Sequence, residues 1–295
     1  MSAATPWASQ FDVLLLDLDG VVYAGGAAIP HAIDSLASAL GAGVRLAYVT
    51  NNASRPPSAV VAHLGQLGLT AEVDDVVTSA QAGARVLAER LAPESKVLVV
   101  GGSGLHEAVQ ARGFSSVTTA ADGPDAVIMG FSPDISWRQL AQATYAVREG
   151  AYFVATNTDR TIPTAEGIGP GNGLLVGVVA AAAGAKPVVA GKPETPLMHE
   201  SVDRTKARHP LVVGDRLDTD IAGANRAGLP SLLVLTGVTG ATDFAAAADD
   251  ERPTYIASDL RALLTGPVEV PSGPDWRGHA ARIAVAAAAA VEASQ

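Results

Sequence analysis

An apolar run that stops abruptly at two carboxylates holds the first chemistry in this chain: Val13-Leu14-Leu15-Leu16 leads directly into Asp17-Leu18-Asp19-Gly20. Such a run reads as a strand buried on both faces of a parallel sheet, and open α/β sheets bind their ligands at the carboxyl ends of the strands. Asp17 is expected at that mouth, although an isolated D-x-D-G is also an ordinary acidic turn. Three further apolar runs end in a similar way. Leu46-Ala47-Tyr48-Val49 runs into Thr50-Asn51-Asn52, Val188-Val189-Ala190 into Gly191-Lys192-Pro193, and Leu211-Val212-Val213 into Gly214-Asp215-Arg216-Leu217-Asp218-Thr219-Asp220. Singly these read as a helix N-cap, a solvated lysine and an acidic helix start. Together they offer carboxylates to a hard cation, a hydroxyl and amide to phosphate oxygens, and one fixed positive charge, a set suited to phosphoryl transfer.

The spacing of these segments sets the architecture that must hold them. Asp17 and Thr50 are 33 residues apart and Lys192 and Asp215 are 23 apart, whereas 142 residues separate Thr50 from Lys192. The first interval suits one βαβ unit; the last is too long for a single crossover and calls for another compact unit. Val97-Leu98-Val99-Val100, Ala126-Val127-Ile128-Met129 and Tyr152-Phe153-Val154-Ala155 read as strands there, alternating with helical patterns around 105–112, 137–148 and 174–183. The expected fold class is therefore α/β: a Rossmann-like parallel-sheet core from residues 1–78 and 187–265, with an α/β domain inserted at 79–186. Residues 266–295 read as a Pro/Gly linker followed by an Ala-rich tail with helical propensity.

In order, Asp17-Leu18-Asp19-Gly20, Thr50-Asn51-Asn52, Gly191-Lys192-Pro193 and the stretch from Gly214-Asp215 to Asp220 resemble the four motifs of the haloacid dehalogenase (HAD) superfamily of phosphatases, across residues 11–264. The chain is most similar to the branch with a large cap after the second motif. That branch includes NagD-type nucleotide, 4-nitrophenyl phosphate, pyridoxal phosphate, and phosphoglycolate or glycerol-phosphate phosphatases. The resemblance implies that Asp17 is the nucleophile and Asp19 the general acid and base. It implies Mg²⁺ held by Asp17, the Asp19 carbonyl and Asp215, with Thr50, Asn51, Asn52 and Lys192 around the phosphoryl group. Gly20, Gly214 and Asp220 take supporting roles, Asp220 holding Lys192 or a metal-bound water. Asp218 reads as a solvated helix-start residue. The position of the cap, after Thr50, and the second acid at Asp19 distinguish this pattern from mutases and dehalogenases.

Within the inserted domain, residues 155–173 are dense in Pro, Gly, Asn and Asp and read as a loop. By resemblance they form the segment that chooses the substrate, with Ile162 at a position where ring-binding relatives tend to place a polar residue. Only 4% of the chain is aromatic, which leaves little to stack on a base or pyridine ring. The expected substrate is a small aliphatic phosphate ester, glycerol 3-phosphate or 2-phosphoglycolate. A nucleoside monophosphate or pyridoxal phosphate phosphatase is the alternative, and a phosphate sensor without turnover is the alternative of another class. The family likeness leaves room for a homodimer through the cap.

Composition excludes more than it identifies. The net charge of −10 argues against nucleic-acid and anionic-membrane partners. The absence of cysteine removes disulfides and thiolate chemistry, in keeping with a reducing, cytoplasmic compartment. The start has no signal-peptide pattern, and the longest apolar stretches, 174–185 and 283–291, fall short of the roughly 20 residues of a membrane span. No histidine pair has zinc-ligand spacing. Gly101-Gly102-Ser103-Gly104 lacks the third glycine of a dinucleotide fingerprint, since Glu107 occupies that position, so it reads as a tight turn.

Overall fold

The computed structural model describes residues 6–164 and 166–292 and separates into two compact units. One comprises the residues up to Val49, Val61–Val76 and the chain from Ser201 onward; the other comprises Thr50–Val60 and Val77–Glu200. Their borders fall at 49/50, 60/61, 76/77 and 200/201, so that Thr50–Val60 and the residues from 187 to Glu200 lie with the second unit.

The first unit is built on a seven-stranded sheet. Its order is Val268–Glu269, Tyr255–Ala257, Ser231–Val234, Pro210–Gly214, Val13–Leu16, Arg45–Thr50, Val76–Thr78. The four ladders from Tyr255–Ala257 to Arg45–Thr50 are parallel, and Val268–Glu269 closes one edge antiparallel. Val13–Leu16 lies in the interior of the sheet and is buried along its whole length, which is why it carries no polar residue. Just before it, the Asp12 carboxylate accepts the N–H groups of Arg208 at 2.7 Å and His209 at 3.0 Å, tying this strand to its neighbour.

The segment read as a linker takes part in this unit. Val268–Glu269 pairs with Tyr255 and Ile256, and Val270 is buried. The tail is the helix Trp276–Glu292, whose Trp276, Ala280 and Ala284, four residues apart, are buried with Leu233, Phe244 and Ile256. Ala281 and Ile283 pack partly buried against the same cluster.

The second unit has a five-stranded sheet in the order Val188–Val189, Tyr152–Ala155, Ala126–Met129, Lys96–Val100, Ser115–Val117, parallel throughout. Val188–Val189, which precedes Lys192, therefore belongs to this sheet. The helices Ser79–Ala88 and Trp137–Arg148 each begin with a capping box, Thr78 with Gln81 and Ser136 with Gln139. Residues 155–173 are not a plain loop: Thr161–Thr164 and Gly167–Pro170 pair as an antiparallel hairpin. The β-branched Thr161, Ile162, Thr164 and Ile168 sustain the ladder despite the surrounding turn formers. Among the described residues no helix is long and apolar enough to cross a membrane.

Candidate active site

Register brings the first carboxylates together. Leu16 pairs with Val213, so Asp17 follows at the same strand end as Gly214 and Asp215, and the Asp17 N–H donates to the Val213 carbonyl at 2.8 Å. Asp17, Asp215 and Asp220 each present one oxygen within 4.8 Å of the others. Asp17 is half-buried, while Asp215 and Asp220 are each only 1% exposed. Asp19 lies one residue past the buried Leu18 and is exposed. Asp220, expected in a supporting role, thus joins the carboxylate cluster directly.

Both buried carboxylates are aimed by the backbone. Asp215 Oδ2 accepts the Val238 N–H at 2.7 Å, and Asp220 Oδ2 accepts the Arg216 N–H at 3.1 Å from within a single π-helical turn, Leu217–Ile221. Their Oδ1 atoms are buried and accept no hydrogen bond. Buried carboxylate oxygens are costly unless a cation or donor meets them, and three clustered carboxylates are the oxygen-rich donor set that Mg²⁺ prefers. The residues present fit that ion.

Glycines make the cluster possible. A Cβ on Gly20, whose φ is +86°, would stand 2.5 Å from Asp215 Oδ2; one on Gly214 would strike Asp220, and one on Gly237 would strike Asp215 from the loop after Ser231–Val234. Thr236 Oγ1 donates to the Gly20 carbonyl at 2.6 Å. The 236–238 loop was missed in the sequence. Its signal, a buried strand ending in Thr-Gly, repeats the pattern of the other strand ends but lacks a charged residue.

The second unit holds the remaining motif residues. Thr50 is buried and its Oγ1 accepts the Asn52 N–H at 3.1 Å. The Asn52 side chain accepts from Ser54 N–H and Oγ, a local turn. The Asn51 side chain accepts the Lys192 N–H at 2.8 Å and donates to the Lys192 carbonyl at 3.0 Å. Lys192 is 3% exposed, so it is not a solvated surface charge. Asp218, by contrast, is an exposed residue paired with Arg216 at 2.8 Å. Ile162 lies half-buried in the hairpin. The Gly-rich turn is explained by packing: Gly102 and Gly104 lie against the Ser54–Arg55 backbone with no room for a Cβ, and the Gly104 N–H donates to the Ser54 carbonyl.

The sequence matches the haloacid dehalogenase-like hydrolase family over residues 14–115 and the HAD-hydrolase-like family over residues 189–263. It is 51% identical over 256 residues to a D-glycerol 3-phosphate phosphatase of Mycobacterium tuberculosis, covering 87% of this chain and 72% of that protein. A 5′-nucleotidase of Bacillus subtilis is 35% identical over 248 residues, covering 83% and 94%. The crystal structure of a glycerol phosphate phosphatase from Mycobacterium tuberculosis in complex with magnesium superposes with a TM-score of 0.87 at 48% identity, over 92% of this chain and 82% of that one. The chain belongs to the haloacid dehalogenase-like hydrolases, in their phosphatase branch.

Proposed function

We propose that this protein is a Mg²⁺-dependent phosphatase that hydrolyses glycerol 3-phosphate through an aspartyl-phosphate. The observation that carries the chemistry is the cluster of Asp17, Asp215 and Asp220 at the carboxyl end of a buried parallel strand. The substrate rests on the 51% identity to the D-glycerol 3-phosphate phosphatase, together with the scarcity of aromatic residues.

An Asp17 oxygen forms a bond to phosphorus as the ester oxygen departs. Asp19, exposed and one residue beyond Leu18, gives that alkoxide its proton and then takes one from the water that frees phosphate from Asp17. Asp17 and Asp215 would hold Mg²⁺, with the Asp19 carbonyl implied by the motif and Asp220 as a further oxygen donor. Bound Mg²⁺ supplies positive charge that offsets repulsion between the carboxylate and the phosphate dianion. Motif order assigns Thr50 to phosphate-oxygen binding and Lys192 to charge stabilisation. It assigns the 79–186 segment to the cap, with Ile162 in substrate choice.

Phosphate release from a panel of esters tests the reading. Glycerol 3-phosphate should lead, EDTA should abolish turnover and Mg²⁺ restore it, and folded Asp17→Asn should lose several orders of magnitude. Turnover retained by Asp17→Asn refutes the covalent route. The relative named a 5′-nucleotidase supports a second reading, a nucleoside monophosphate substrate. A 10-fold or greater preference for UMP in kcat/KM would establish it.

The assembly proposed is a homodimer through the second unit, in the cytoplasm. Trp137 and Tyr145 on one helix and Leu174 and Val178 on the next are exposed large apolar side chains that a second copy would cover. Light scattering of Trp137→Arg against the parent protein tests it.

A further inference from the structure

We infer that Asn51 is a positioning residue that sets Lys192 by gripping its main chain, rather than a ligand of phosphate oxygens. The inference rests on the phosphatase reading above and goes beyond it in assigning a role to the second-motif amide.

A side-chain amide has one acceptor and one donor end, and Asn51 commits both to Lys192. Its Oδ1 accepts the Lys192 N–H at 2.8 Å, and its Nδ2 donates to the Lys192 carbonyl at 3.0 Å. The two bonds seize the peptide groups on both sides of the lysine Cα, fixing the direction in which its side chain leaves the backbone. Asn51 is itself anchored: its carbonyl accepts Ser79 Oγ at 2.6 Å and Asn157 Nδ2 at 2.7 Å. Asn157 is held in turn, its carbonyl accepting Asn172 Nδ2 at 2.8 Å. A chain of buried or half-buried amides therefore runs from the helix Asn172–Ala183 through Asn157 and Asn51 to Lys192.

Gly191 supports the same reading from the other partner. A Cβ there would lie 2.6 Å from Asn51 Oδ1 and would strike the Thr156 carbonyl, so glycine before the lysine is what lets the amide reach the main chain. The Asp159 carboxylate, with both oxygens 3.4 Å from Asn51 Nδ2, further orients the amide. The lysine is 3% exposed, and a buried ammonium group depends on where its backbone puts it.

A double-mutant cycle in full-length protein, with glycerol 3-phosphate and Mg²⁺, tests this. Asn51→Ala should lower kcat about 10- to 100-fold, the scale of a small misplacement of a catalytic group, and leave KM within about threefold. In a Lys192→Ala background the same change should cost less than about threefold, because the residue it acts through is gone. Hydrogen exchange read by mass spectrometry on the peptide containing Lys192 should accelerate in Asn51→Ala, a readout that needs no activity and decides the matter should Lys192→Ala be inactive. Multiplying losses, a rise in KM at constant kcat, or unchanged exchange would each overturn the inference while leaving the phosphatase reading intact. A Lys192→Ala enzyme as active as the parent would overturn the assignment of Lys192 itself and the inference with it.

Discussion

Substituting Gly20 by alanine isolates the packing that holds Asp215. A Cβ there would sit 2.5 Å from Asp215 Oδ2 and 2.6 Å from its Cγ, against the 3.0 Å that real Cβ atoms essentially never breach. Asp215 or the Gly20 turn must therefore move by at least 0.5 Å, the difference of those two distances. The carboxylate cannot simply swing aside, because Val238 N–H holds Oδ2 at 2.7 Å and Gly237 lies against the same group. Losing that charge-assisted bond costs roughly 1.5–3 kcal/mol, and a side chain at φ +86° adds about 1–2 kcal/mol. The expected loss is about 2.5–5 kcal/mol in urea unfolding with EDTA present. The Mg²⁺ concentration for half-maximal activity should rise about 10- to 100-fold, as when a metal ligand loses its support. Gly25→Ala is the internal control: its φ is +61° but no atom lies within 4 Å, so it should cost only about 1–2 kcal/mol and leave the Mg²⁺ requirement unchanged. If Gly20→Ala matches Gly25→Ala in both measurements, the proposed link between glycine packing and the metal site is wrong.

Other perturbations probe other parts. In Asp19→Ala, hydrolysis of an alkyl phosphate should fall more than the first step with 4-nitrophenyl phosphate, whose leaving group scarcely needs a proton; equal losses in single-turnover experiments would make Asp19 structural. Trp276→Ala should destabilise the protein by about 3–5 kcal/mol, because it removes a nearly fully buried ring from beneath the C-terminal helix; a change under about 1 kcal/mol in urea unfolding would mean the helix does not hold the core. Partial burial pushes the Asp12 carboxyl up, but the N–H groups of Arg208 and His209 outweigh it and hold the group below the ordinary value of 3.8. A depressed carboxylate contributes stability above that value and loses it as the pH falls through the lower, folded-state one. Asp12→Asn should therefore be less stable than the parent at pH 7, with the gap closing below about pH 4; a gap independent of pH would contradict the assignment.

The fold was legible where burial wrote itself in apolar runs. Val13–Leu16, Ala126–Met129 and Tyr152–Ala155 are buried or nearly so along their lengths and are unbroken by polar residues in the sequence. The helix Trp137–Arg148 was visible for a related reason, an apolar stripe at helical spacing. Ser79–Ala88 went unrecognised, although the Thr78–Gln81 capping box and the apolar Val86 and Leu87, buried here, stand in the sequence. The hairpin at 161–170 was hidden by Pro163 and its glycines, which are turn formers in isolation and are accommodated here in a short two-stranded ribbon. The edge strand Val268–Glu269 is two residues long, below any periodicity, and flanking prolines made it read as linker.

The site divides along the same line between chemistry carried by a side chain's type and chemistry carried by its direction. Asp17 and Asp215 were identifiable because a charge after a buried strand has few structural uses, and Lys192 because Gly191-Lys192-Pro193 stands in motif order, its short strand Val188–Val189 being exposed to half-buried. Their supports were not, since Gly237, the Val238 N–H and the bonds of Asn51 act through main-chain geometry that no residue type announces. Asn51 shows the limit most clearly. An amide beside a threonine that motif order assigns to the phosphate invites the same assignment, because its type suits that ligand. Only the structure reveals that its two ends are spent on the peptide groups flanking Lys192, and that Gly191 is small so that they can be. An amide whose donor and acceptor are both committed has one donor hydrogen left, and Asp159 stands beside that nitrogen. What it can contribute to turnover is therefore the placement of the lysine.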